Sequence, residues 1–254
     1  MTTAELIFFG VECFGLAFFA ISGVVLAGRA QLDGFGVFVI AFITAAGGGT
    51  VRDVILNVPP FWTTNMGYFW SIAIAGVLGQ IMVRVSKNRL PGWVALSLDA
   101  AGLCVFSVTG CLKTLDLGWR WEIAILMAIL TGVGGGLVRD TLLQVKPYVF
   151  RGELYAIISA FAAALLVAQL ALDIPRFTAG AIASFSAFIL RMLAWKKGWS
   201  LPVFDIDKPV RPIAKAQPLP VPPPVPVRPY GRKRTSSLVP IVPSRRLGLR
   251  MNHK

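Results

Sequence analysis

Residues 45–53 read AAGGGTVRD, and residues 132–140 read GVGGGLVRD. Each places three consecutive glycines, then an arginine and an aspartate, in a largely apolar run. Glycine costs about 1 kcal/mol relative to alanine in a helix interior, and a charged side chain near the centre of an inserted helix costs about 2.5–3.5 kcal/mol on insertion scales. Paying both costs twice, in one pattern, points to a repeated device in a membrane.

The spacing of the two motifs, 139 − 52 = 87, extends well beyond them. The same shift matches Gly15 to Gly102, Phe19 to Phe106, Gly23 to Gly110, Thr44 to Thr131, Leu56 to Leu143, Pro60 to Pro147, Tyr68 to Tyr155 and Leu78 to Leu165 without a gap, and it sets Glu12 opposite Asp99. The chain therefore reads as a duplication, with repeat 1 over about 5–90 and repeat 2 over about 92–175.

Composition agrees. Of 254 residues 56% are hydrophobic and 15% charged, against roughly 45–50% and about 25% in soluble domains. Apolar stretches near the length of about 20 residues that crosses a bilayer fall near 5–28, 34–56, 66–85, 93–114, 119–143, 152–172 and 176–195. The fold expected is an all-α polytopic membrane protein with seven transmembrane helices, three per repeat plus an unpaired helix at about 176–195. The first stretch lacks a signal peptide's basic n-region and small-residue cleavage site, so it reads as a retained helix. Three crossings per repeat make the second copy enter from the opposite side, an inverted repeat of the kind recurrent in secondary transporters.

Connector charge sets the expected orientation, because Lys and Arg accumulate on the cytoplasmic side. With the N-terminus outside, the inner connectors hold Arg29, Arg84, Lys87, Arg89, Lys146 and Arg151, and the outer ones hold Lys113, Arg120 and Arg176. The membrane domain, 1–204, carries 14 Lys/Arg against 10 Asp/Glu, whereas residues 205–254 carry 11 against 2. Most of the +13 net charge thus belongs to the tail. That tail, with PLPVPPPVPVRP and GRKRTSS, reads as a disordered cytoplasmic segment of polyproline II character, able to meet anionic lipid through its basic residues.

Gly47, Gly48, Gly49, Gly134, Gly135 and Gly136 have two readings. Small residues four apart, such as Ala45 with Gly49 and Gly132 with Gly136, let helices approach closely. Alternatively, the second and fifth helices bend or unwind at the glycines and line a cavity, since irregular backbone at membrane depth persists only where protein or water satisfies it. The cavity is the favoured expectation. Successive helical residues point about 100° apart, so Arg52 and Asp53 are each expected to need a partner from another helix. Depth along the helices predicts an outer cluster of Glu12, Arg52 and Asp53 and an inner cluster of Asp99, Arg139 and Asp140, each with a formal charge of −1.

Other chemistries are disfavoured. The glycine runs lack G-x-x-x-x-G-K-[ST] and follow no strand, so they are not phosphate loops. His253 is the single histidine, which leaves no Ser-His-Asp or Cys-His arrangement, and Cys13, Cys104 and Cys111 have no C-x-x-C spacing. No enzyme, metal site or cofactor is expected.

The paired G-G-G-x-x-R-D motifs, the acid-x-x-G pattern at Glu12–Gly15 and Asp99–Gly102, and LPVF at 201–204 resemble the bacterial branch of the trimeric intracellular cation (TRIC) channel family, which also carries the name glycine transporter domain. The resemblance covers about residues 5–204. It implies a homotrimer of seven-helix protomers in the bacterial inner membrane, conducting potassium through a pathway in each protomer between helices bent at the glycines, while the connector charges put the N-terminus out and the C-terminus in. The animal members have Lys-Glu-Val in the first repeat where this chain has Val51-Arg52-Asp53, so their voltage and calcium regulation is not carried over. A potassium channel is the leading functional expectation. Secondary transport of a small zwitterion such as glycine is the alternative, because inverted repeats and helix ends at the midplane suit an amino acid as well as an ion.

Overall fold

The computed structural model describes residues 3–86, 90–151 and 154–202, and their regular structure is helical. The long helices are α1 (Thr3–Arg29), α2 (Gly34–Ile55), α4 (Met66–Val85), α5 (Gly92–Asp116), α6 (Trp121–Leu142), α7 (Tyr155–Ala171) and α8 (Arg176–Lys197). Two short pieces were not expected: α3 (Phe61–Thr64) and a 3-10 turn (Tyr148–Phe150). Six helices are long and apolar enough to cross a membrane, and α7, with 17 residues, is the short one. The stretch expected from 152 starts at Tyr155, with 152 and 153 outside the described residues. The expected tail at 205–254 and the end of the LPVF motif also lie outside them.

Local chemistry sets the helix ends. The Asp33 carboxylate accepts from the Gly36 amide (2.7 Å) at the start of α2, and the Asn65 side chain accepts from the Gly67 amide (2.8 Å) at the start of α4. These are N-caps that satisfy otherwise orphaned donors. Pro91 and Pro175 stand just before α5 and α8, and Gly198, left-handed at φ 67°, closes α8.

The shift of 87 reappears in the backbone. α2 and α6 begin and end 87 residues apart, as do Phe61 and Tyr148 at the starts of the two short pieces. Left-handed Gln31 answers left-handed Gly118, and Asn57 answers Gln144.

α1 packs against α2, α4 and α5, and α5 in turn against α6, α7 and α8. α1 and α5 run antiparallel: Phe19 stacks on Phe106 (5.6 Å), Ser22 donates to the Ala95 carbonyl and Arg29 to the Leu90 carbonyl. Trp70, Ile74, Val77, Leu78 and Ile81 of α4, with Ile182, Phe185 and Ile189 of α8, face outward. An apolar exterior this continuous suits lipid rather than water.

The glycine motifs depart from expectation. α2 and α6 run as unbroken α-helix through Gly47–Gly49 and Gly134–Gly136, so the backbone is not unwound there. The helices cross at the glycines instead. A β-carbon on Gly48 would fall against the Thr131 carbonyl oxygen, one on Gly135 against the Thr44 carbonyl oxygen, and one on Gly134 would lie 3.0 Å from the Gly48 Cα. Close packing wins over the cavity because the missing side chains let two backbones touch while every helical hydrogen bond is kept, which costs less in lipid than exposing peptide groups.

Candidate permeation site

Two buried polar clusters flank the crossing. In the first, the Asp53 carboxylate, fully buried, accepts from Arg52 Nε (2.8 Å) and Lys113 Nζ (2.8 Å) on one oxygen and from the Phe61 amide (2.8 Å) on the other. Arg52 Nη2 lies 2.7 Å from the same carboxylate. Glu12 stands apart, its carboxylate accepting a hydrogen bond from the Tyr68 hydroxyl. Phe61 and Tyr68 touch ring to ring at 5.2 Å and so link the two groups.

In the second cluster, Arg139, fully buried, donates from Nη1 to Asp99 (2.5 Å) and to Ser22 (3.3 Å), and from Nε to Asp140 (2.8 Å). Tyr155 donates to the other Asp99 oxygen (2.7 Å), and the Tyr148 amide donates to Asp140 (3.2 Å). Arg191 of α8 lies over the Tyr155 ring at 5.2 Å. Burial, and then the Asp99 carboxylate, push the Tyr148 phenol above the usual tyrosine range.

Sequence reasoning grouped Asp99, Arg139 and Asp140 as the structure does, and it kept the two arginines in separate clusters. Three corrections follow. Arg52 does reach Asp53, and Arg139 reaches Asp140, although neighbouring side chains leave a helix about 100° apart; the long guanidinium stem bends around the helix to its own neighbour. Glu12 makes no ion pair with Arg52 among the described residues, since Lys113 supplies the second cation at Asp53 and Tyr68 takes Glu12. Nor is the charge −1 on each side. With Lys113 the first group, counted with Glu12, has two formal cations and two acids; with Arg191 the second has the same.

Lys113 was missed because it reads as an outer connector charge, and Arg191 because it lies on α8, which has no counterpart under the shift of 87. Tyr68 and Tyr155 carried an available signal: each lies 56 residues after the acid it binds, from 68 − 12 and 155 − 99.

Space is distributed unequally between the ends. A cleft of about 750 Å³ opens between the N-terminal ends of α1, α4 and α8 and the C-terminal end of α5, with Glu12, Tyr68 and Leu112 among its walls. Beside the 3-10 turn, between Gly136, Asp140, Tyr148 and Tyr155, a small void leaves no room for a water molecule. Of the six motif glycines only Gly136 borders either space.

Comparison with known proteins places this geometry. The family model described as Glycine transporter matches residues 10–84 and, a second time, residues 96–171. The chain belongs to that family. A "UPF0126 membrane protein" of Vibrio cholerae is 41% identical over 199 residues, covering 78% of this chain and 83% of the relative. The "UPF0126 inner membrane protein YadS" of Escherichia coli K12 is 37% identical, covering 78% and 96%. Among solved structures, the TRIC trimeric intracellular cation channel orthologue from Rhodobacter sphaeroides superposes with a TM-score of 0.69 at 31% identity, over 76% of this chain and 98% of that one. A chain from work on conductance through TRIC cation channels superposes at 0.70 and 28% identity, over 78% and 98%. The family member described here is thus a multi-pass membrane protein with relatives in the bacterial inner membrane.

Proposed function

We propose that the protein is a monovalent cation channel, with potassium as its ion, working as a homotrimer with one pathway per protomer. The observation that carries this reading is the likeness to the Rhodobacter sphaeroides channel orthologue, over 98% of that chain and 76% of this one. Seven crossings, α7 included, arranged as inverted repeats over about 5–90 and 92–175 with α8 added, are part of the reading. The double family match, the shift of 87 in helix ends and the antiparallel contact of α1 with α5 support it.

The pathway enters through the cleft to Glu12 and Tyr68 and runs past Asp53 toward Asp99 and Asp140. Among the described residues, the charged ones lining the cleft are Glu5, Glu12, Asp116 and Arg176, a formal −2 that favours cations over anions in the mouth. Arg52, Lys113 and Arg139 neutralise the acids deeper in, so the ion meets a balanced interior. Beside Tyr148 and Tyr155 the described residues leave a void too small for a water molecule. Gly47, Gly48, Gly134 and Gly135 serve the pathway as scaffold, clamping α2 on α6, Gly49 makes room for the Phe61 ring, and Gly136 borders the pathway. The N-terminus faces outward and the basic tail inward, where it meets anionic lipid.

The family description favours a second reading, transport of glycine. Purified protein in a planar bilayer separates the two: unitary potassium currents support the channel, and glycine counterflow in vesicles without such currents would replace it with the transporter.

A further inference from the structure

The cleft at the N-terminal end of the bundle is larger and more apolar than entry of an inorganic ion requires. We propose that it is a binding site for small organic ammonium ions with an apolar body, and that the Glu12 carboxylate is their counter-ion. Its volume of about 750 Å³ falls within the range of about 300–1,000 Å³ typical of organic ligand sites, which are mostly apolar with a few placed polar groups. Phe8, Phe9, Leu112 and Phe177 supply apolar wall. At the floor stands Glu12, one oxygen taken by the Tyr68 hydroxyl and the other carrying no hydrogen bond within the described protein.

The chemistry selects the ligand class. A bare hard cation needs oxygen ligands on several sides, and this floor offers one carboxylate beside a phenol whose proton is already committed. Such an ion passes with its water. An ammonium group on a hydrocarbon body gains at both ends instead, through a charge-assisted hydrogen bond to Glu12 and through burial of its body against the wall. A zwitterion or an acid fits poorly, because Arg176, the one basic residue lining the cleft among the described residues, is paired with Asp116 at the rim.

The site does not rest on the channel reading, since occupancy is measured without flux. Full-length protein in phosphatidylcholine nanodiscs is titrated calorimetrically with benzylammonium, and with benzyl alcohol as its neutral counterpart, after subtraction of empty nanodiscs. The expected result is saturable binding of benzylammonium, one per protomer, with benzyl alcohol and glycine at least about tenfold weaker. Glu12→Gln should weaken benzylammonium by about tenfold or more. Ile7→Trp, at a half-exposed position on the cleft wall, adds bulk there without changing the charge; it should weaken benzylammonium too and decides the matter if Glu12→Gln does not fold. Equal affinity for amine and alcohol would leave only an apolar cleft suited to an acyl chain and overturn the proposal. So would saturable binding indifferent to both substitutions, which would place the amine elsewhere, or no saturable binding at all.

Discussion

Alanine at Gly48 should unseat the crossing of α2 on α6, and alanine at Gly47, one residue away, should not. A β-carbon at Gly47 would lie 3.5 Å from the Gly135 Cα, an ordinary contact. At Gly48 it would fall against the Thr131 carbonyl oxygen, with the Thr131 carbonyl carbon at 3.0 Å and the Gly135 nitrogen at 3.1 Å. Close carbon–oxygen approaches lie at about 3.3–3.6 Å, so the helices must part by roughly 1 Å. Overpacking costs typically about 1–3 kcal/mol, and the upper end applies here because the obstacle is helix backbone with no rotamer to yield. Alanine's helix propensity returns about 1 kcal/mol. The predicted net is a loss of about 2 kcal/mol for Gly48→Ala and a gain of up to about 1 kcal/mol for Gly47→Ala.

Gly135→Ala should match Gly48→Ala, because its β-carbon would meet the Thr44 carbonyl in the same way from the other helix. The double substitution should cost less than the sum, since the first already separates the helices. Reversible unfolding by sodium dodecyl sulfate in mixed micelles, followed by circular dichroism, gives the four values. If Gly48→Ala were as stable as Gly47→Ala while cation flux vanished, the contact reasoning would fail and the glycines would line a cavity after all.

Other predictions follow from the polar clusters. Asp53→Asn leaves the Arg52 and Lys113 cations without their carboxylate and should cost about 3–5 kcal/mol in the same unfolding measurement. Asp53→Asn combined with Lys113→Met should cost less than the single change, and equal costs would break the pair. Tyr68→Phe removes a hydrogen bond to a carboxylate and should cost about 1.5–3 kcal/mol, while Phe177→Ala at the rim should stay below that. Tyr148, in the turn between spans, has a raised phenol pKa. The folded chain then keeps that proton after the unfolded chain loses it, so the stabilisation is full below about pH 10 and drains as pH climbs through the folded value; Tyr148→Phe should flatten this alkaline limb in pH-dependent unfolding.

The long helices were legible because hydropathy and the shift of 87 are properties of many residues at once, and errors at single positions average out. α3 and the 3-10 turn, of four and three residues, are too short to show a period. Acids and arginines were legible as clusters wherever depth alone decides, as for Asp99 with Arg139. Identity of partner was not. Glu12 and Asp99 are matched acids, yet Asp99 binds Arg139 and Tyr155 while Glu12 binds Tyr68, a difference set by what a third helix brings near. The glycine motif was misread at the last step, because a helix weakened by glycine can spend that weakness on bending or on close contact, and only the facing helix decides which.

The departures from repeat symmetry account for the unequal ends. Lys113 of the first cluster corresponds by the shift of 87 to Leu26, so Asp140 receives no lysine from α1 and shares Arg139 with Asp99 instead. Asp99 is thereby drawn in with Tyr155, and the ring of Tyr155, with Tyr148 near it at 6.1 Å, fills the space beside the turn. At the other end Lys113 satisfies Asp53, Glu12 is left to Tyr68, and no arginine draws the acid inward. The rims differ in the same sense. Asp116 corresponds to Arg29, and Arg29 reaches across to the Leu90 carbonyl, tying the end of α1 to the start of α5, whereas Asp116 pairs outward with Arg176 and leaves the cleft open. Two differences at matched positions, Lys113 against Leu26 and Asp116 against Arg29, thus contribute to the unequal sizes of the two spaces, together with Tyr148 standing where the shift of 87 has Phe61. Exchanging the rim residues, with Arg29→Asp and Asp116→Arg together, should loosen the tied end, and cysteines placed near Gly92 should become more accessible to soluble thiol reagents.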